Sequence, residues 1–143
     1  MSRSRIPAAL RAEVVTQSPP WCAYCQNQPQ VSGIRLTFDH IIPESSGGET
    51  VLINLCLACW DCNLLKQDRI SAVDPLTHTE VPFYHPRLDR WVDHFYWNED
   101  ATLIIGRTPV GRAMIIALQL NRSPLPEARQ RWVAFGIHPP HLT

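Results

Sequence analysis

The sequence predicts a mixed α+β fold: a small β-hairpin and a helix closed by a metal staple, then an extension made of a second hairpin and helices. Three observations lead there. Cysteines recur as two Cys-x-x-Cys pairs, Cys22/Cys25 and Cys59/Cys62, with 33 residues between Cys25 and Cys59. Within that gap residues 34–41 alternate apolar and polar side chains, the period of a half-buried strand. Late in the chain stand two helix starts, Thr108-Pro109 and Ser123-Pro124, where a hydroxyl residue caps and proline presets the first helical φ.

A first helix is expected over residues 7–15, stopped by Ser18-Pro19-Pro20. Trp21-Cys22-Ala23-Tyr24-Cys25 is a metal knuckle, followed by a polar turn from Gln26 to Gln30. Residues 34–41 are the first strand. Pro43-Glu44-Ser45-Ser46-Gly47-Gly48 is a loop by every local signal. Periodicity leaves residues 51–57 open between a second strand and a short helical turn. Cys59-Trp60-Asp61-Cys62 is the second knuckle, and residues 63–69 continue it as a helix of good helix formers. A loop is expected from Asp74-Pro75 to Pro82. Residues 91–97 and 102–105 flank Asn98-Glu99-Asp100 as a hairpin. The helix opened by Thr108 runs to about residue 120, with Ala113, Ile116, Ala117 and Leu120 on its apolar face, and the last runs from Ser123 through Trp132. No linker divides the chain. Residues 1–143 therefore read as one domain, with a core over 21–70 and an extension over 83–135.

Hydrophobic residues make up 45% and charged residues 18%, which supports a buried core and argues against disorder. No apolar run approaches the roughly 18 residues of a membrane span. The basic N-terminus around Arg3 and Arg5 lacks the apolar stretch of a secretory signal. A soluble, cytoplasmic protein with no membrane partner is expected. Thirteen basic and 13 acidic residues cancel, which excludes nucleic-acid binding by bulk charge but not by a local basic groove. All basic residues but Lys66 are arginine. Arginine's planar fork suits phosphate, and genomic composition produces the same bias.

Five cysteines are an odd number for a disulfide framework. Two Cys-x-x-Cys pairs in an intracellular chain suit a tetrahedral zinc site of Cys22, Cys25, Cys59 and Cys62. The rival readings are a redox pair, for which the βαβ pattern is lacking, and buried thiols. Four thiolates on one Zn²⁺ leave a net charge of −2, so the role is structural and not a phosphate clamp. Cys56 is a small core residue or a stand-in for Cys59. Between the knuckles, Asp39 and His40 end the first strand, Asn54 follows in the loop, and Asn63 comes directly after Cys62. Adjacent strand residues face opposite ways, but a turn at the strand end brings both to one cleft. Asp39 and Asn63 offer hard oxygens suited to Mg²⁺. An imidazole such as His40 takes a proton from water near neutral pH. Together they supply what phosphodiester hydrolysis needs.

Phe38-Asp39-His40-Ile41-Ile42-Pro43, Ser46-Gly47-Gly48, Asn54-Leu55 and Cys59-x-x-Cys62-Asn63-x-x-Lys66 resemble the HNH nuclease motif. It is the zinc-stapled form, with Asn in place of the final His, and the resemblance covers about residues 21–69. It implies the ββα-metal fold and a metal-dependent endonuclease acting on DNA, with RNA left open. Carried over, His40 is the general base, and Asp39 and Asn63 hold one Mg²⁺ or Mn²⁺ against the scissile phosphate. Asn54 stiffens the loop and fixes the His40 ring. Products with 5′-phosphate and 3′-hydroxyl ends are implied, and cutting both strands favours a homodimer.

Lys66, one turn beyond Asn63 and hence on its face, is either a contact to a flanking phosphate or a solvated surface lysine. Residues 84–97 and the unit with Gly106-Arg107-Thr108 and Gly111-Arg112 resemble an extension found in some bacterial HNH proteins. Arg107 and Arg112, near a helix start, are candidate contacts to backbone phosphate or surface charges. Tyr84, Trp91, Phe95, Tyr96 and Trp97 read as packing before base stacking, and His85 and His94 as ordinary imidazoles before metal ligands. Two other functions compete with the nuclease: a non-catalytic zinc-stabilised nucleic-acid-binding module, and an adaptor whose extension docks another protein.

Overall fold

A computed structural model describes residues 5–141; Arg3 and the extreme ends of the expected 1–143 domain lie outside them. Helix α1 (Ala8–Thr16) follows Pro7 and ends before the Pro-Pro pair, close to expectation. Its buried Val14 packs with Leu55 and Leu57, flanked by Ile6 and Leu10. After the first knuckle a single turn, α2 (Pro29–Ser32), stops at Gly33, whose φ of 76° suits glycine.

Strands β1 (Leu36–His40) and β2 (Leu55–Cys59) pair antiparallel, with Leu36 opposite Cys59, Asp39 opposite Cys56 and His40 opposite Leu55. The segment that periodicity left open takes both forms: a 3₁₀ turn over Leu52–Asn54, then β2. Every residue of β2 is buried, so no alternation marks it, as expected for a strand covered on both faces. Helix α3 (Trp60–Lys66) starts inside the second knuckle, earlier than the sequence suggests, because Cys59 serves as its N-cap. It stops at Gln67, whose φ is 54°.

The stretch read as a loop over residues 74–82 carries a hairpin with its flanks, β3 (Ser71–Val73) and β4 (Glu80–Pro82). Asp74 builds its turn, its carboxylate accepting from the Leu76 and Thr77 amides and the Thr77 hydroxyl. The second expected hairpin forms with shorter strands. Residues Trp91–His94 make a helical turn, α4, leaving β5 (Phe95–Trp97) to pair with β6 (Ile104–Gly106). Helix α5 (Pro109–Ala117) has the expected cap, Thr108 Oγ1 accepting from Gly111 N at 3.1 Å. It ends short of residue 120, and α6 (Leu125–Ala134) closes the fold.

One buried cluster joins the two halves: Cys22, Tyr24, Cys56 and Cys62 share it with Phe95, Ile104, Met114 and Leu118. Arginines fasten its edges. Arg69 donates to the Ala117 and Leu65 carbonyls, tying the ends of α3 and α5. Arg87 reaches Leu55 O, Gln17 O and Ser18 Oγ. Arg129, 1% exposed, spends its donors on Leu120 O, Thr102 O and Asn121 Oδ1.

Arg112, expected as a phosphate contact or a surface charge, is paired within the fold. Its fork grips both oxygens of the buried Asp74 at 2.9 Å, leaving the guanidinium to pin α5 to the β3–β4 turn. No helix among the described residues is long and apolar enough to cross a membrane.

Two predictions follow from this packing. A Cβ at Gly111 would stand 1.9 Å from the His94 carbonyl oxygen. Gly111→Ala should cost about 2–3 kcal/mol, seen as a lower urea midpoint at unchanged slope. The Arg112 guanidinium, chiefly, holds the Asp74 carboxyl well below the usual carboxylate range. Its stabilising effect is therefore complete above the ordinary aspartate pKa of about 4 and is lost as pH falls through the depressed value. Asp74→Asn should flatten the acid side of the stability profile; an unchanged acid limb contradicts the assignment.

Candidate functional site

The two knuckles converge. Cys22, Cys25, Cys59 and Cys62 are all buried, and their sulfurs lie within 4.8 Å of one another; Cys25 Sγ is 3.7 Å from Cys59 Sγ. A tetrahedral zinc with Zn–S bonds of about 2.3 Å has S–S edges of roughly 3.8 Å, so the cluster fits the ion. Backbone amides shape each knuckle, Tyr24 N donating to Cys22 Sγ and Cys62 N to Cys59 Sγ, both at 3.4 Å. Hydrogen bonds from Cys22, first, then Cys25 and Cys62 pull the Cys59 thiol far below its ordinary value. A metal bound there displaces the remaining thiol protons. Cys56 stands apart, 3.8 Å from Asp39 Oδ2, and its burial pushes its thiol up; it is a core residue and not a substitute ligand.

Arg122 completes this cluster from the far end of the chain. Its Nη1 donates to Cys62 Sγ at 3.5 Å and its Nη2 to Cys59 Sγ at 3.6 Å. Burial works against its charge, and the sulfurs of Cys62, Cys25 and Cys59 outweigh that effect, so its pKa is pushed up. Nothing local in the sequence marks it, since sixty residues separate it from Cys62.

The polar residues of the hairpin divide by strand face. Asp39, 1% exposed, points inward with Thr37, two residues before it on the same face. Tyr24 Oη donates to Asp39 Oδ2 at 2.7 Å, and Lys66 Nζ lies 3.3 Å from Oδ1. Lys66 also donates to the His40 carbonyl at 2.9 Å. Asn63, on α3, donates its amide to Thr37 Oγ1 at 2.9 Å and reaches Phe38 O at 3.4 Å. The zinc knuckle and β1 thus put Asn63 against the face that carries Asp39. His40 is also buried, and its ring turns to the loop side: Nε2 meets Thr50 Oγ1 at 2.9 Å and Glu44 Oε1 at 3.2 Å.

Several expectations change here. Lys66 is 1% exposed and paired with Asp39, so it is not a solvated surface lysine. The helix face it shares with Asn63 is the inward one. Asn54 does stiffen the loop, its amide bridging Ile42 N, Ile42 O and Glu49 O. The ring of His40 meets Thr50 and Glu44; Glu44 lies in the expected loop and Thr50 just after it. Gly48 is required there, since a Cβ would sit 1.7 Å from Ile42 O and 2.8 Å from Asn54 Nδ2. Arg107 remains exposed, its guanidinium 4.6 Å from the centre of the Tyr96 ring. The other aromatics pack, Tyr84 on Phe95 and Trp91 on Phe95 and Trp97. His85 Nδ1 accepts from the Arg87 and Leu88 amides, and His94 Nδ1 meets Thr108 Oγ1. A cavity of about 210 Å³ between Trp21, Tyr84 and Trp91 includes none of Asp39, His40 or Asn63.

Residues 22–69 match the family model for HNH endonuclease. Comparison with curated proteins and with solved structures finds no match.

The inward pair has a measurable signature. Lys66→Met strands the Asp39 carboxylate in the interior and should cost about 3–5 kcal/mol. Asp39→Asn in the same chain should restore part of that loss in a double-mutant cycle by urea unfolding. Purely additive single and double effects would show that the two side chains do not interact.

Proposed function

From an HNH endonuclease domain over residues 22–69, we propose that the chain hydrolyses phosphodiester bonds in DNA, with His40 as general base and one Mg²⁺ or Mn²⁺ held by Asp39 and Asn63. The observation that carries this reading is the Glu44–His40 contact beside the face shared by Asp39 and Asn63. Glu44 Oε1 lies 3.2 Å from His40 Nε2. A carboxylate accepts, so this contact favours a hydrogen on Nε2. Glu44 and Thr50 hold the ring, and Glu44 offsets the positive charge that the ring gains, the part a buried carboxylate plays beside other catalytic imidazoles.

The oxygens suit a cation. Asp39 Oδ1 and the His40 carbonyl already hold a positive group, the Lys66 ammonium, and Asn63 is anchored on the same side by its amide nitrogen, which donates to Thr37 and Phe38. A divalent ion would take Asp39 in exchange for that ammonium. Such an ion supplies Lewis-acid stabilisation of charge at the phosphate and the departing oxygen. Family likeness favours products with 5′-phosphate and 3′-hydroxyl ends. Of the three basic candidates, Arg107 is exposed and could meet the phosphate backbone, whereas Arg112 and Lys66 are paired with Asp74 and Asp39. The adaptor reading gains no specific support. A nucleic-acid-binding module without hydrolysis draws support from Lys66, which keeps Asp39 occupied.

Plasmid nicking with and without Mg²⁺ separates the readings. His40→Ala should lower the nicking rate at least about 100-fold while zinc content stays as in wild type and the chain remains folded. Nicking by His40→Ala at the wild-type rate defeats the assignment of the base. Wild-type protein that retains DNA without cutting it supports the binding module instead.

A further inference from the structure

We propose that Arg122, in the connection between α5 and α6, is the charge partner of the zinc thiolates, so that the C-terminal extension supplies part of the metal centre. The inference rests on the cysteine cluster and stands apart from the proposed hydrolysis. Four thiolates around one Zn²⁺ carry −2, and all four cysteines are at most 2% exposed. Net charge in such surroundings is costly unless it is paired and hydrogen-bonded. Arg122 meets both needs, since its two terminal nitrogens donate to two different sulfurs, Cys62 at 3.5 Å and Cys59 at 3.6 Å. The guanidinium is aimed by Nη1, which also reaches Leu118 O and Gln119 O at 3.3 Å, just past the end of α5.

The contact is one-sided. Arg122 touches the sulfurs of the second knuckle and not those of the first. Arg129, the other arginine buried in this region, gives its donors to Leu120 O, Thr102 O and Asn121 Oδ1. Hydrogen bonds from outside the ligand sphere tune zinc ligands and hold them in place, and their loss typically lowers metal affinity by about 10–100-fold. A guanidinium on a thiolate also withdraws electron density and lowers its nucleophilicity. Cys59 and Cys62 should therefore be the quieter pair.

The test uses zinc-loaded full-length chain as wild type, Arg122→Met, Arg122→Lys and the exposed-site control Arg131→Met. Zinc affinity is read by competition with a chromogenic chelator, and iodoacetamide labelling of each cysteine is followed by mass spectrometry. Arg122→Met should lose about 10–100-fold in zinc affinity, and labelling of Cys59 and Cys62 should accelerate relative to Cys22 and Cys25. Arg122→Lys keeps the charge but only one donor arm and should fall between; it serves as the decisive variant if the methionine chain does not fold. Arg131→Met should match wild type. Affinity within twofold of wild type in both Arg122 variants overturns the proposal. So does equal acceleration at all four cysteines, the pattern expected if Arg122 only secures the end of α5. Wild-type protein that takes up no zinc removes the metal centre itself, whatever the nicking assay shows.

Discussion

Four sulfurs drawn to within 4.8 Å of one another set the geometry on which the rest of this chain is built. Holding the two knuckles together closes the intervening segment into a loop, and closing a long loop in advance removes a large part of its conformational freedom. What lies inside must then fold back on itself. β1 and β2 do so, with a register that sets Asp39 opposite Cys56 and His40 opposite Leu55. The helix α3 is tied even more directly, because Cys59 caps it and Cys62 lies in its first turn. Asn63 is the next residue along. Asn63 is thus covalently next to the staple, and Asp39 is tied to it through the hydroxyl of Tyr24, the neighbour of Cys25.

A chain this short buries several full charges, and each has a dedicated partner. The choice of base follows the shape of that partner. Asp74 presents two oxygens to one fork, and an arginine takes both. At the ends of α3 and α5 Arg69 reaches two carbonyls from one terminal nitrogen, and around Asn121 Arg129 spans its carbonyls with both terminal nitrogens. Between Asp39 and the His40 carbonyl the space takes a single point charge on a flexible stem, and there the chain uses its lone lysine. The arginine bias of the composition therefore has a use in the interior, independent of any phosphate.

The readable parts of the sequence were those written in local chemistry. The knuckles, the alternation through Phe38 and His40, and the Thr108 cap each announce themselves within a few residues. The β3–β4 hairpin did not, because its strands have three residues each and Asp74-Pro75 reads as irregular loop. Direction was the harder matter. Spacing correctly put Lys66 on the face of Asn63, but only packing reveals that this face turns inward to Asp39. Arg122 was out of reach altogether, since its meeting with Cys59 and Cys62 depends on how the extension docks and leaves no periodicity behind. Glu44 and Thr50 were hidden differently, inside a segment whose Pro, Ser and Gly residues drew attention to the turn and away from the side chains it carries.

The common core adds a constraint on the extension. Phe95, Ile104, Met114 and Leu118 share one buried cluster with the knuckle cysteines, and Arg87 joins the segment after β4 to β2 and to the chain leaving α1. Displacing α5 would uncover that apolar cluster, break the Arg69 bridge to α3 and withdraw Arg122 from the sulfurs together. These contacts differ in kind: apolar burial, carbonyl capping and charge on thiolate. They all converge on the start and the end of α3, the seven-residue helix that carries Asn63 and Lys66. A helix that short is not stable in isolation, so its position is set almost entirely by what grips its two ends: the metal knuckle at one and the extension at the other.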